Sequence, residues 1–227
     1  MKIISVFIHK NFRLYFLSYF LIFIGITLII LSFGSTIYSE YHYFLDTITH
    51  KKYILSSTKS TLNKNKNLFD ELINGQEISL KPPSPNSIII EKIGVAAPII
   101  WNVSVVDESE YFEALKKGVA HAKGKALPGS KGNVYLFAHS SIEFWKMGPY
   151  ATVFNQLRRL DNGDKIYIFY NGVRFDYVVD KKEVVSGFDL SPYEAKYDDS
   201  VLTLQTCDPP GTQLNRLIVT AKLVVSQ

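Results

Sequence analysis

The chain of 227 residues is 47% hydrophobic and carries a net charge of +4, with a single cysteine, Cys207. This is enough apolar material for one ordinary domain with an appendage. The basic residues are spread along the chain rather than gathered in a stripe, which argues against a nucleic-acid-binding protein. A lone cysteine excludes an internal disulfide bond.

The first decisive feature is Leu14–Phe33, about 20 residues without a charge, which matches a hydrocarbon core of roughly 30 Å. No acidic residue occurs before Glu40, and three basic residues precede the segment: Lys2, Lys10 and Arg13. The positive-inside rule then predicts a cytoplasmic N-terminus at residues 1–13, a transmembrane anchor at residues 14–34 and an extracellular remainder. A cleaved signal peptide is the alternative, although its apolar region is normally shorter.

Residues 35–85 are predicted to be an extracellular spacer between the anchor and a folded domain. Lys51–Lys66 is rich in Lys, Ser, Thr and Asn without an apolar period, and Asn67–Asn74 is long enough only for a short helix. The proline-rich segment Lys81–Pro85 breaks the pattern. We therefore place the domain boundary there and the folded domain at residues 86–227.

The folded domain is predicted to be mostly β, because short β-branched and aromatic runs alternate with turn residues. Asn171-Gly172 is a strong hairpin signal, and a helix is expected over Glu110–Lys117, capped by Asp107 or Ser109. A turn-rich stretch is expected at Gly118–Lys131 and a long loop at Glu183–Ser200. The predicted strands are Ser87–Ile93, Pro98–Val105, Asn133–Ala138, Asp164–Tyr170, Val173–Val179, Val201–Thr206 and Leu217–Val224. A closed sheet is the leading architecture.

Three residues suited to acyl transfer stand at predicted strand ends: His139, Cys207 and Arg216. A thiolate attacks carbonyl carbons, an imidazole moves the protons, and a guanidinium stabilises the oxyanion. An unpaired thiol outside the cell is either buried and inert or retained for chemistry, and the polar residues around Cys207 favour chemistry. Ser140 lacks the turn motif of a serine nucleophile. The scattered acidic residues fit no calcium loop, so no metal is predicted.

The motifs around these residues resemble the sortase family, the membrane-anchored cysteine transpeptidases of bacterial surfaces. Thr203–Cys207 (TLQTC) resembles the TLxTC signature of that family, and Cys207–Gly211 followed by Arg216–Val219 (RLIV) resembles its closing segment. Gly118–His121 and Gly132–His139 resemble the segment that leads to the family's histidine. The resemblance covers about residues 88 to 223.

This resemblance implies an eight-stranded sortase-type β-barrel with one or two short helices, preceded by the transmembrane helix. It implies Cys207 as nucleophile, His139 as general acid and base, and Arg216 as the oxyanion-stabilising or substrate-orienting group. Three further residues are expected to contact substrate: Thr206, His121 and Ser140. The implied reaction cleaves a Leu-Pro-x-Thr-Gly sorting signal between Thr and Gly and passes the acyl group to an amine of a lipid-linked peptidoglycan precursor or a pilin lysine. No cofactor is expected.

The eight residues between Cys207 and Arg216 resemble the class D and E sortases more than the longer-looped class A. Two positions depart from the family pattern: Glu91 replaces a typical proline, and Asp208 follows the cysteine. A carboxylate beside the thiol raises its pKa unless it points away. Two other functions stay open: a thiol protease that passes the acyl group to water, and a membrane-tethered scaffold or binding module without catalysis.

Overall fold

The computed structural model describes residues 2–56, 77–140 and 149–226. The helices are α1 (Lys2–Ile48), α2 (Glu108–Lys117) and α3 (Ser191–Glu194), with 3-10 helices η1 (Glu91–Ile93) and η2 (Leu157–Arg159). The strands are β1 (Lys52–Leu55), β2 (Glu77–Leu80), β3 (Ser87–Ile90), β4 (Val95–Val103), β5 (Val119–Ala122), β6 (Gly132–Phe137), β7 (Lys165–Tyr170), β8 (Val173–Ser186), β9 (Ser200–Asp208) and β10 (Asn215–Ser226).

Eight of these strands close into a barrel in the order β10-β8-β7-β3-β4-β5-β6-β9. The pairs β4–β5 and β6–β9 are parallel, and the other neighbouring pairs are antiparallel. The barrel interior is filled by fully buried side chains, of which Tyr135, Tyr177 and Phe154 are the largest. The prediction of a mostly β, closed eight-stranded barrel is therefore confirmed.

Local sequence explains two of the connections. Asp107 caps α2, because its side chain accepts a hydrogen bond from the backbone N–H of Glu110 at 3.1 Å. Asn171 and Gly172 both adopt positive φ and join β7 to β8 as the predicted hairpin.

Three parts of the secondary structure differ from the prediction. The strand predicted at Ser87–Ile93 ends at Ile90, because Glu91–Ile93 form η1. The turn-rich stretch expected at Gly118–Lys131 contains β5, which pairs with β4 and β6 in the middle of the barrel. The loop expected from Glu183 begins later, because β8 continues to Ser186 along β10. This end of β8 carries lysines and acidic residues, so it lacks the apolar alternation by which strands are recognised in sequence.

The N-terminal region forms the single helix α1, followed by β1 and β2, which pair in parallel outside the barrel. The anchor predicted at residues 14–34 falls within α1. In the described part of the chain, however, no helix is long and apolar enough to cross a membrane, so the structure does not confirm this anchor. The polar stretch predicted to Lys66 lies partly, and the short helix predicted at Asn67–Asn74 wholly, outside the described residues.

Candidate active site

The hairpin of β9 and β10 places Cys207 directly opposite Arg216 in an antiparallel register. Residues opposite each other in such a pair have Cβ atoms about 5 Å apart. In the loop of this hairpin, the backbone N–H of Gly211 donates to the carbonyl of Ser140 at 2.9 Å. The connecting loop is thereby tied to the segment that follows β6, so thiol and guanidinium are held side by side.

The parallel pair of β6 and β9 brings His139 to the same place. Phe137 is in register with Gln205, and the N–H of Ala138 donates to the carbonyl of Gln205 at 3.1 Å. Continuing this register by two residues places His139 beside Cys207. His139, two residues beyond the end of β6, therefore lies near the ends of β9 and β10 that carry Cys207 and Arg216.

Thr206 fastens these two strands together at the critical position. It is 3% exposed, and its hydroxyl donates to the carbonyl of Ala138 at 3.1 Å. Because Ala138 precedes His139 and Thr206 precedes Cys207, this bond fixes the spacing of the imidazole and the thiol.

His139 is enclosed by two aromatic rings of α2. The rings of Tyr111 and Phe112 lie 5.4 and 5.5 Å from the imidazole. The Nε2 atom is buried and has no hydrogen-bond partner among the described residues. Burial lowers the pKa of His139 to about 4, because the charged imidazolium loses its hydration. At neutral pH the ring is therefore neutral and can accept a proton.

A groove of about 530 Å³ passes Cys207 and Arg216, whereas His139 is not among its lining residues. Its lining includes Cys207, Arg216 and Thr206, together with Tyr111 and the exposed side chain of Val106. An extended peptide laid in this groove would contact the thiol and the guanidinium together.

The charges nearest the thiol are arranged as acyl transfer requires. One guanidinium nitrogen of Arg216 donates to the carbonyls of Gln213 and Asn215 at 3.2 and 3.1 Å. No described carboxylate forms an ion pair with Arg216, so its charge is available to an oxyanion. The carboxylate of Asp208 lies 3.9 Å from Nη2 of Arg158, which compensates the negative charge beside Cys207.

The other residues predicted to contact substrate lie in different surroundings. Ser140 is 3% exposed, and its buried hydroxyl has no partner among the described residues. His121 is 2% exposed and is not part of the groove lining. Its ring nitrogens contact the carbonyl of Ala126 at 2.9 Å and the N–H of Asn102 at 3.4 Å. Substrate contact by Thr206, His121 and Ser140 stays a prediction.

Tyr111 is the residue of this site that sequence reasoning missed. Its ring stacks on Phe137 at 5.3 Å and meets His139 edge-on. Burial raises the pKa of the Tyr111 phenol to about 12, with a smaller upward contribution from Cys207 and a downward one from Arg216. The tyrosine therefore lies close to all three reactive groups. The signal in the sequence was the adjacent aromatic pair at the start of the predicted helix.

The described residues contain no group of three or more His, Cys, Asp or Glu side chains that would hold a metal ion.

Comparison with known proteins places this geometry in a family. The family model of the sortase domain matches residues 88–224. No curated protein matches the chain. Among solved structures, the chain is similar to sortase C1 of GBS pilus island 1, with 28% identity and a TM-score of 0.52 over 62% of this chain and 64% of that one. The chain thus spans just under two thirds of that relative.

Two clostridial structures are also similar. A Clostridium perfringens sortase D5 transpeptidase shares 28% identity, with a TM-score of 0.50 over 61% of this chain and 78% of that one. Clostridium perfringens sortase C, solved with the C-terminal cell wall sorting motif, shares 26% identity, with a TM-score of 0.51 over 61% and 69%. With the family model matching more than half of its length, this chain belongs to the sortase family.

Proposed function

We propose that the protein is a cysteine transpeptidase that cleaves a Leu-Pro-x-Thr-Gly-type sorting signal between Thr and Gly. The observation that carries this proposal is the pairing of Cys207 on β9 with Arg216 on β10, next to the segment after β6 that carries His139. A thiol next to a neutral imidazole and an unpaired guanidinium is a complete set for acyl transfer.

In the proposed reaction, the neutral imidazole of His139 accepts the proton of the Cys207 thiol as sulfur attacks the threonine carbonyl. The resulting oxyanion is stabilised by the guanidinium of Arg216. Collapse of the tetrahedral intermediate breaks the Thr–Gly bond, and His139 returns the proton to the leaving amine. An acceptor amine then attacks the thioester and regenerates the thiol.

The proposed acceptors are an amine of a lipid-linked peptidoglycan precursor and a pilin lysine. The names of two relatives, a sortase of a pilus island and a sortase solved with a cell wall sorting motif, support these classes of substrate. The short connection between Cys207 and Arg216 favours class D or E, whereas the names of the relatives include both class C and class D.

We place the protein in a bacterial plasma membrane as a single-pass protein with the barrel outside. The support is the uncharged segment Leu14–Phe33, which has three basic residues before it and no Lys or Arg after it until Lys51.

The test incubates the full chain with a Leu-Pro-x-Thr-Gly peptide library, with and without a glycine-peptide amine, followed by mass spectrometry. We expect a mass increase on Cys207 equal to the N-terminal half of the peptide, discharged by the amine. The variant Cys207→Ala should form no adduct. Discharge by water alone would favour the thiol protease. No adduct with any peptide, and no reaction of Cys207 with a small alkylating reagent, would favour the scaffold.

A further inference from the structure

The C-terminal part of α1 makes specific contacts with the segment around η2. Arg159 pairs with Glu40 at 2.8 Å, and its guanidinium lies 4.5 Å from the centre of the Tyr43 ring. The buried side chain of Gln156 donates to Ser39 at 2.9 Å and to Glu40 at 3.2 Å. Four side-chain interactions within five residues of α1 define one orientation of the helix.

The same region is fastened a second time through β1. The Tyr53 hydroxyl donates to Asp46 at 2.6 Å, and its ring lies so close to Gly94 that a Cβ there would be 2.8 Å from it. Glu91 accepts hydrogen bonds from the N–H of Leu55 and the hydroxyl of Tyr167. A proline at position 91 would supply no side-chain acceptor, so this contact depends on Glu91.

We call the barrel residues of these contacts the docking surface: Glu91, Gly94, Gln156 and Arg159. The docking surface and the candidate active site lie at the same end of the barrel. β5 is parallel to β4 and antiparallel to β6, so β6 runs opposite to β4. The C-terminal end of β6 and the N-terminal end of β4 therefore lie at the same end of the barrel. β9 is parallel to β6, and β10 returns from it, so His139, Cys207 and Arg216 share that end with η1.

A short path connects the apolar segment of α1 to the nucleophile. Glu40 is seven residues beyond Phe33, about 10 Å along a helix. Glu40 contacts Arg159, and the neighbouring Arg158 contacts Asp208, which follows Cys207. These steps place Cys207 on the order of 30 Å from the end of the apolar segment.

We propose that the contact between α1 and the docking surface holds the catalytic end of the barrel close to the membrane surface, so that substrates held in the membrane are selected over soluble ones. This inference rests on the proposed function and on the membrane anchor. A continuous helix that packs on the barrel fixes both the height and the orientation of Cys207, whereas a flexible tether would fix neither. The selection follows from the effective concentration of a substrate confined to the same surface.

The first experiment uses Cys207 as a unique labelling site. The full chain is labelled there with a fluorophore and reconstituted into phosphatidylcholine–phosphatidylglycerol vesicles that contain lipids with spin-labelled headgroups. We expect strong quenching in the wild type, weaker quenching in Glu40→Arg, and recovery when Arg159→Glu restores the ion pair with reversed charges. The matched control is Asp180→Arg, which breaks the exposed pair with Lys222 at 3.0 Å and should leave the quenching unchanged.

The second experiment measures unlabelled protein in the same vesicles. One substrate is a soluble sorting peptide, and the other carries the same signal on a transmembrane helix. Glu40→Arg should lower the rate on the membrane-held substrate about 10-fold. The rate on the soluble peptide should change by less than about twofold, since the half-buried pair lies outside the groove that holds the thiol.

Equal quenching in wild type and Glu40→Arg, or an equal loss of rate on both substrates, would overturn the inference. A wild type that cleaves neither substrate, but whose label is quenched in the expected order, would refute the proposed function and leave the docking supported. A chain that does not enter the vesicles would refute the membrane placement and the inference with it.

Discussion

The candidate active site and the docking surface lie at the same end of the barrel. They differ in whether their polar side chains have protein partners. At the candidate active site, the buried Nε2 atom of His139 has no hydrogen-bond partner among the described residues, and the guanidinium of Arg216 donates to two backbone carbonyls but pairs with no described carboxylate. On the docking surface, Glu91 and Arg159 each have a partner. Burying a polar group without a partner costs free energy, so the candidate active site sacrifices stability where the docking surface gains it.

This contrast indicates what each region is built to bind. The guanidinium of Arg216, which lines the groove without a carboxylate partner, is available to a substrate, whereas the paired groups at the junction with α1 hold the helix to the barrel. Substitution of a groove residue without a carboxylate partner, such as Arg216, should therefore change catalysis more than stability, and substitutions on the docking surface should do the reverse. The following predictions test this contrast, in order of decreasing effect.

The largest effect is expected at Arg216. Replacing Arg216 by Ala removes the charge that faces the oxyanion and should lower kcat by about 10²- to 10³-fold. Arg216→Lys keeps the positive charge but loses the planar guanidinium with its paired N–H donors. Its kcat should therefore lie between those of the wild type and Arg216→Ala. Single-turnover measurement of the thioacyl-enzyme tests this, with the melting temperature as the control. A parallel loss of melting temperature and rate in both variants would instead indicate a structural role.

A smaller effect is expected from exposing the imidazole of His139, which is covered by the rings of Tyr111 and Phe112. Phe112→Ala should admit water to the imidazole and raise its pKa from about 4 toward the ordinary value of 6.5. A base must be unprotonated to act, so the acidic limb of the pH profile of kcat/KM should move to higher pH. Phe112→Leu keeps most of the apolar volume and should shift the limb less. Identical acidic limbs in all three proteins would show that His139 is not the base.

The next effect concerns the bond between the two catalytic strands. Thr206→Val keeps the shape of the side chain and removes the hydroxyl that donates to Ala138. The free energy of unfolding should fall by about 1 kcal/mol. The kcat should fall on the order of threefold, because the spacing of His139 and Cys207 is no longer fixed. Denaturant unfolding measures the free energy of unfolding, and steady-state kinetics measure kcat. A lower stability with an unchanged kcat would show that the register alone positions the pair.

The groove could be predicted from sequence to the extent that its contacts are local. Val201–Thr206, the Pro-Pro-Gly turn and Leu217–Val224 are close in sequence, so the pairing of Cys207 with Arg216 follows from one hairpin. The position of His139 depends on the parallel pairing of β6 with β9, whose in-register residues are 68 apart in sequence. No spacing rule reveals such a pairing, and only the resemblance to sortases suggested it.

The docking surface lay beyond prediction for a different reason. The residues that form its contacts are polar. Polar residues such as Ser39, Glu40 and Gln156 are normally interpreted as solvent-exposed when only the sequence is known. In the sequence Glu91 is only a departure from the family pattern, yet in the structure it accepts one hydrogen bond from Leu55 of β1 and another from Tyr167 of β7. The cover over His139 was missed similarly, since an aromatic pair on a short helix is usually core packing.

The smallest effect on catalysis, and a clear effect on stability, is expected at Gly94. A Cβ at this position would meet the Tyr53 ring at 2.8 Å, and the residue has a φ of +63°. Gly94→Ala should lower the free energy of unfolding by about 1–2 kcal/mol while kcat on a soluble peptide stays unchanged. Gly124→Ala is the matched control, because Gly124 has a φ of +78° with nothing within 4 Å. The difference in stability between the two variants isolates the contact with Tyr53. An equal loss in both would mean that β1 contributes nothing there, and a fall in kcat for Gly94→Ala alone would mean that docking also shapes the groove.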